Sequence, residues 1–215
     1  MTSLTPEEIG KRYDQIAADY EKYRSSTIGM DYLEKFLLLL DPKESSQRRV
    51  AILDIGCGTG LPLMKRMVDF GANVTGIDIS SEMIQKAKAN VPGASIIEGN
   101  ILTINFEETF DGILAWDSLF HLPLDQQEQA ILKIASLLNP KGVFLFTTGG
   151  DAGELRSTMF DTEFYYSSLS SQKYESILSD QNCVVIINEI DDPRSQGHRV
   201  ICCQKVKRIG SESTK

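Results

Sequence analysis

The 215-residue chain predicts an α/β fold built on a mostly parallel sheet with helices on both faces. Three observations carry this. Short apolar runs recur about every 20 to 30 residues, as strands buried on both faces must. Amphipathic stretches of helical period stand between them. The first such run ends in a glycine-rich loop, "LDIGCGTG" at residues 53–60, where an open parallel sheet holds its ligand.

The elements follow in order. "TPEEIGKRYDQIAADYEKYRSS" reads as a helix with Thr5 as N-cap, Pro6 at its first position and Glu8 closing a capping box. Ile9, Tyr13, Ile16, Ala17 and Tyr20 share one of its faces. A second helix covers about residues 30–40 and stops at Asp41-Pro42. "RVAILDIG", "NVTGIDIS", "ASIIEGN", "FDGILAWDS" and "GVFLFTTG" are five strands. Between them lie helices at "LPLMKRMVDFG", with Pro62 in the first turn and Gly71 as stop, at "SSEMIQKAKANV", capped by Ser80 or Ser81, and at "PLDQQEQAILKIASLLNP". A last helix, "SLSSQKYESILSDQN", precedes the strands "CVVIINEI" and "HRVICCQKV". Their loop is too short for a parallel crossover, so they form an antiparallel hairpin. The tail "GSESTK" is expected to be disordered.

Composition narrows the class. Hydrophobic residues make up 41% and charged residues 24%, as in a soluble globular domain. The net charge of -8 argues against a nucleic-acid or anionic-membrane binder, which needs clustered Lys and Arg. "MTSLTPEEIGKRYDQ" shows no signal-peptide pattern, and "FLLLL" is far short of a membrane span. Cys57, Cys183, Cys202 and Cys203 have no C-x-x-C spacing and read as reduced, buried thiols of a cytoplasmic protein. No dense carboxylate or histidine cluster suggests a metal.

Gly56, Gly58 and Gly60 permit positive φ and remove side chains that would hold a ligand off the backbone. The spacing is G-x-G-x-G, whereas the dinucleotide fingerprint is G-x-G-x-x-G. Asp78 stands 18 positions after Gly60 and suits either ligand, since its carboxylate can accept ribose hydroxyls. The spacing tilts away from NAD and leaves it open.

The sequence resembles the class I S-adenosylmethionine-dependent methyltransferases, in particular the small-molecule group of the type 11/25 kind. The matching stretches are "YDQIAADYEKYR", "LDIGCGTG", "VTGIDIS", "IIEGN", "FDGILAWDSLFHL" and "LLNPKGVFLFTTG", in the family's order from residue 13 to 148. The resemblance implies a Rossmann-like three-layer sandwich, with a seven-stranded mostly parallel sheet whose last strand is antiparallel. It also implies a helical lid over residues 1–42, a methyltransferase domain over 43–208 with an insertion at 149–169, and a tail at 209–215.

By that resemblance the glycine loop passes under the methionine part of S-adenosylmethionine. Gly56, Cys57, Gly58 and Gly60 line the pocket, and Asp54 supports the loop or meets the cofactor's ammonium. Asp78 holds the ribose, Ile79 lies against the adenine, Asn100 accepts from the adenine amino group and Ile101 packs on its edge. Trp116, the only tryptophan, stands beside the sulfonium, where cation–π attraction is worth about 0.5–2 kcal/mol. Tyr13 touches the cofactor carboxylate.

The acceptor side is assigned to Tyr20, Asp117, His121, Tyr165, Tyr166 and His198, with His121 as candidate general base. Phe160, Phe164 and Arg156 of the insertion and Arg194 of the last hairpin complete the expected rim. The implied function is in-line methyl transfer to a small molecule by a monomer or homodimer, with no nucleic-acid or membrane partner. The alternatives are a non-catalytic cofactor-binding protein and an NAD(P)-dependent reductase. The latter would want a Tyr/Lys pair that the sequence does not place.

Overall fold

The structure is a computed structural model that describes residues 2–40, 48–191 and 197–206. The Asp41-Pro42 stop, Arg194 and the tail lie outside the described residues. Helices α1 (Pro6–Tyr23) and α2 (Met30–Leu40) lead into β1 (Ala51–Ile55), α3 (Leu63–Asp69), β2 (Asn73–Asp78), α4 (Ser81–Asn90), β3 (Ser95–Glu98) and β4 (Phe110–Ala115). A short 3-10 turn, Leu119–His121, precedes α5 (Leu124–Leu137) and β5 (Leu138–Thr148). A hairpin of β6 (Gly153–Met159) and β7 (Thr162–Ser168) follows, then α6 (Ser171–Asp180), β8 (Cys183–Ile190) and β9 (Arg199–Lys205).

Among the described residues seven strands form one sheet in the order β3-β2-β1-β4-β5-β9-β8, and β9 runs antiparallel to both of its neighbours. This is the predicted sandwich. Strand alternation sorts the core into two layers. Leu53, Ile113, Phe144, Ile201 and Cys203 face α5 and α6. Ile52, Leu114, Leu145, Val200 and Cys202 face α2, α3 and α4. The adjacent Cys202 and Cys203 thus point to opposite faces, and all four thiols are buried and free.

Local signals do their predicted work. Thr5 and Glu8 exchange both bonds of the capping box at 3.2 and 2.8 Å. Ser80 accepts the Met83 N–H at 3.1 Å, and Ser170 accepts that of Lys173 at 3.2 Å, so α4 and α6 start on hydroxyl caps. One strand begins earlier than its apolar run suggests. β5 starts at Leu138, paired to Phe110, because Asn139 donates to Asp111 at 2.8 Å and ties that segment to β4.

The N-terminal segment divides. Phe36 and Leu37 of α2 are buried in the helical layer beside β4 and β5, so α2 belongs to the core. Helix α1 lies instead across the carboxyl end of the sheet. Its Ile9 and Ile16 pack with Leu4 on Phe164 and Tyr165 of β7 in a third, small core. Residues 149–169 form this two-stranded platform for α1, with Phe160 and Asp161 at a turn of positive φ.

Candidate active site

A crevice opens at the carboxyl ends of β1, β2 and β4, where the strand order reverses. It holds about 740 Å³ of empty space, its mouth included. The glycine loop forms its floor, and Ile9, Tyr13 and Tyr20 of α1 line its cover.

Gly56 and Gly58 have φ of +71° and +53°. A β-carbon at residue 56 would lie 2.3 Å from that of Ser118, so no other residue fits there. The N–H groups of Gly56 and Cys57 both donate to the Ile77 carbonyl, at 2.8 and 3.0 Å. That of Gly58 donates to Asp78 Oδ2 at 2.8 Å, and that of Gly60 to the Cys57 carbonyl at 2.9 Å. Dinucleotide loops work by turning such N–H groups onto a pyrophosphate. Here four of them are committed within the protein. The loop offers close approach without an anion nest, which removes the main support for a nicotinamide cofactor.

Asp78 ends β2 in the crevice. Its Oδ1 accepts the Ser80 N–H at 2.9 Å while Oδ2 accepts that of Gly58. The Ile79 N–H also acts on this carboxylate, which has about four acceptor sites, so room for a ligand hydroxyl remains. Burial pushes its pKa above the ordinary value, against the pull of these backbone bonds. Asn100, Ile79 and Ile101 line the same side. Asn100 Oδ1 already takes the Leu102 N–H at 2.9 Å and keeps one lone pair.

Behind the loop lies a smaller recess of about 330 Å³. Asp54 lines it, 4% exposed and without a hydrogen bond among the described residues. Burial first, and the neighbouring Asp78 second, raise its pKa to about 7. Thr59 Oγ1 and Trp116 Nε1, on the same recess, are buried polar atoms with no partner among the described residues. Arg24 reaches it from the end of α1. The Trp116 ring packs between Tyr32, at 5.9 Å, and Gly29, where a β-carbon would touch it at 2.7 Å.

Over the crevice, Tyr13 and His121 are bonded hydroxyl to Nε2 at 2.7 Å. His121 Nδ1 lies 3.0 Å from the Tyr165 carbonyl, which only accepts, so Nδ1 carries the proton and Nε2 receives the Tyr13 hydroxyl. Burial lowers the His121 pKa to about 4, so the ring is neutral at pH 7. Asp117 follows β4 with φ of +51°. Its Oδ2 accepts from Arg24 and its Oδ1 lies against His198 Nδ1, each at 3.1 Å. Thr147 accepts the Asp117 N–H at 2.7 Å and donates back to Oδ1 at 3.2 Å. Burial acts to raise the Asp117 pKa, but His198 and Arg24 outweigh it and hold the carboxyl below its usual value.

A family model described as methyltransferase domain matches residues 52–142, the stretch from β1 into β5. An uncharacterized methyltransferase of Oceanobacillus iheyensis is 33% identical over 165 residues, which cover 72% of this chain and 71% of the relative. The chain belongs to the class I S-adenosylmethionine-dependent methyltransferases. A second uncharacterized methyltransferase, from Alkaliphilus oremlandii, is 34% identical over 117 residues. The match spans 54% of this chain and only half of that relative's length. In fold, the methyltransferase is similar to the magnesium protoporphyrin IX methyltransferase of Synechocystis PCC 6803 with bound S-adenosylmethionine. The TM-score is 0.70 at 15% identity, covering 95% of this chain and 99% of that one.

Tyr13, Tyr20, Gly56, Gly58, Asp78, Ile79, Asn100, Ile101, Asp117 and His121 line the crevice, with the Tyr13 hydroxyl given to His121 and not left free for a cofactor carboxylate. Asp54, Cys57, Gly60 and Trp116 line the smaller recess. Three expected acceptor residues stand off the crevice lining. Tyr165 is buried beneath α1, its hydroxyl bonded to Glu154, and only its carbonyl reaches the site, through His121. Tyr166 backs the His121 ring at 4.8 Å. His198 acts on Asp117 from behind. Arg156 and Phe160 are also engaged elsewhere, the first with Glu163 and the Thr2 carbonyl and the second stacked on Tyr23. Asp14, Arg24, Thr59, Ser118 and Thr147 escape sequence reading, since single polar residues within a helix, at element ends or in loops carry no periodic or spacing signal.

Proposed function

We propose that this protein moves the S-methyl group of S-adenosylmethionine to a small-molecule acceptor. The observation that carries the reading is the pairing of an internally satisfied glycine loop with the unpartnered Asp54 carboxylate beside it. That combination suits an amino-acid ammonium and rejects a pyrophosphate.

The residues fit the cofactor. Asp78 takes the ribose with the acceptor capacity its backbone donors leave, and Ile79, Ile101 and Asn100 take the adenine. Asp54 meets the ammonium. Thr59 Oγ1 and Trp116 Nε1, orphaned in the recess, and Arg24 supply donors for the carboxylate. When bound, the cofactor supplies a methyl group already activated by its sulfonium. The protein's task is then chiefly alignment. Tyr13 and His121 stand at the acceptor side with hydroxyl and ring fixed by a short bond. A histidine with pKa near 4, whose Nε2 is occupied, is a weak base, so His121 orients Tyr13 rather than driving proton removal. Helix α1 acts as the cover, clamped through Arg24 to Asp117.

The net charge of -8 supports a small acceptor over nucleic acid, and the four buried, free thiols support action in the reducing cytoplasm. Among the described residues no helix is long and apolar enough to cross a membrane. Thermal-shift titration tests the reading. S-adenosylmethionine and S-adenosylhomocysteine raise the melting temperature, NADPH does not, and Asp78→Ala loses the response. Stabilisation by NADPH alone overturns it.

A further inference from the structure

We infer that Asp14 is a positioning residue for cofactor binding, acting through Ser80 on the turn 78–80. The inference rests on the methyltransferase reading and adds a residue that the reading does not use.

One stripe of α1 seats on α4. Gly10 comes first, where a β-carbon would lie 2.9 Å from the Ile79 carbonyl, so the helix backbone rests directly on that peptide. One turn later, Asp14 Oδ1 accepts the Ser80 hydroxyl at 2.6 Å and the Glu82 N–H at 3.1 Å. Farther along, Glu21 takes Lys86 at 2.8 Å and Asn90 at 2.7 Å. The neighbouring stripe, with Ile9, Tyr13 and Tyr20, lines the crevice.

The Ser80 hydroxyl has a single proton, and Asp14 receives it. Its oxygen accepts the Met83 N–H, so its rotamer is fixed from both sides. The Ser80 N–H donates to Asp78 Oδ1. Asp14, Ser80 and Asp78 therefore form one chain of bonds from the cover helix to the carboxylate facing the ribose. Seating α1 sets the aim of Asp78. Glu21 shares the seam, but the Asn90 amide it holds also donates to the Thr59 carbonyl of the glycine loop. Lys86, which among the described residues meets Glu21 alone in the second half of α4, is therefore the natural control.

The experiment measures S-adenosylhomocysteine affinity by calorimetry on the full chain. Asp14→Ala removes a charge-assisted acceptor and weakens binding by about tenfold or more. Asp14→Asn keeps the Oδ1 acceptor and stays within about threefold of wild type, as does Lys86→Ala. Asp14→Glu, which keeps the charge but displaces it, weakens binding while preserving the fold. Adding Ser80→Ala to Asp14→Ala costs no further affinity, because the two act in series. Wild-type affinity in Asp14→Ala or Asp14→Glu, an equal loss in Lys86→Ala, or additive losses overturn the inference. Failure of wild type itself to bind S-adenosylhomocysteine would instead overturn the methyltransferase reading.

Discussion

The Tyr13 hydroxyl lies 2.7 Å from His121 Nε2 and donates to it. This bond sets what each residue is able to do. Tyr13 also packs edge-on to Tyr20 at 5.8 Å and against Phe164 at 4.7 Å, so its ring stays placed without the hydroxyl. Tyr13→Phe therefore isolates the bond. It leaves a buried imidazole acceptor unsatisfied, at a cost of about 1–3 kcal/mol. For a chain of this size each kcal/mol lowers the melting temperature by about 2–4 °C. Methyl transfer slows while S-adenosylhomocysteine affinity changes little. An unchanged rate in Tyr13→Phe would remove the dyad from the mechanism.

Asp117 is held in a left-handed conformation by Thr147, which both accepts from its N–H and donates to its carboxylate. Backbone strain of this kind persists only where neighbours over-determine it. Thr147→Val preserves shape and deletes both bonds. The turn then relaxes, Arg24 and His198 lose their common partner, and α1 is held less firmly. Transfer activity falls by about tenfold or more if the lost bonds are worth a typical 1.5 kcal/mol or above. Hydrogen exchange at the last turn of α1 rises in the same variant. Protection equal to wild type would show that Asp117 does not depend on Thr147.

At Gly56 the constraint is steric and conformational together. Its φ is +71°, and an added β-carbon would meet Ser118 at 2.3 Å. Ser118 cannot move freely, since its hydroxyl donates to the Ile55 carbonyl at 2.8 Å. Gly56→Ala lowers stability by about 1 kcal/mol or more and shifts the loop that floors the proposed cofactor site. Calorimetry should find S-adenosylhomocysteine binding lost, whereas Gly71→Ala, with nothing within 4 Å of the added carbon, keeps it.

Much of this arrangement is legible in the chain because it rests on spacing. Strand runs fix the sheet, and G-x-G-x-G followed by Asp78 locates the crevice. The polar latch over it is not legible. Arg24 and Asp117 are 93 residues apart, and His198 and Asp117 are 81 apart, so only the closed topology brings them together. Tyr165 misleads for a related reason. On a strand, neighbours alternate, so Phe164 and Tyr166 both meet the His121 ring, at 5.7 and 4.8 Å, while Tyr165 between them turns to the opposite face. Which side α1 would cover is set by the hairpin β6–β7, and its short strands carry no strong periodic signal.

Asp54 and His121 give opposite responses to pH, and this makes both testable at once. The Asp54 pKa of about 7 lies above the unfolded value near 3.9. Between these values the folded protein holds a proton that the unfolded chain releases, so this group lowers stability as pH rises from about 4 to 7. The His121 pKa of about 4 lies below the unfolded value near 6.5. Its contribution is complete above pH 6.5 and is lost as pH falls toward 4. In wild type the two slopes partly cancel. Asp54→Asn removes one of them, so its stability relative to wild type grows from pH 4 to 7 and then levels. Its own stability also climbs more steeply than wild type's across the histidine window. Urea unfolding at several pH values measures both. In the proposed site the cofactor ammonium meets the Asp54 carboxylate, so the same variant is expected to bind S-adenosylmethionine poorly, and wild-type binding is expected to weaken below pH 7 as Asp54 takes up its proton. A stability difference that stays flat with pH would show that Asp54 is ionised in the free protein and has a partner in solution.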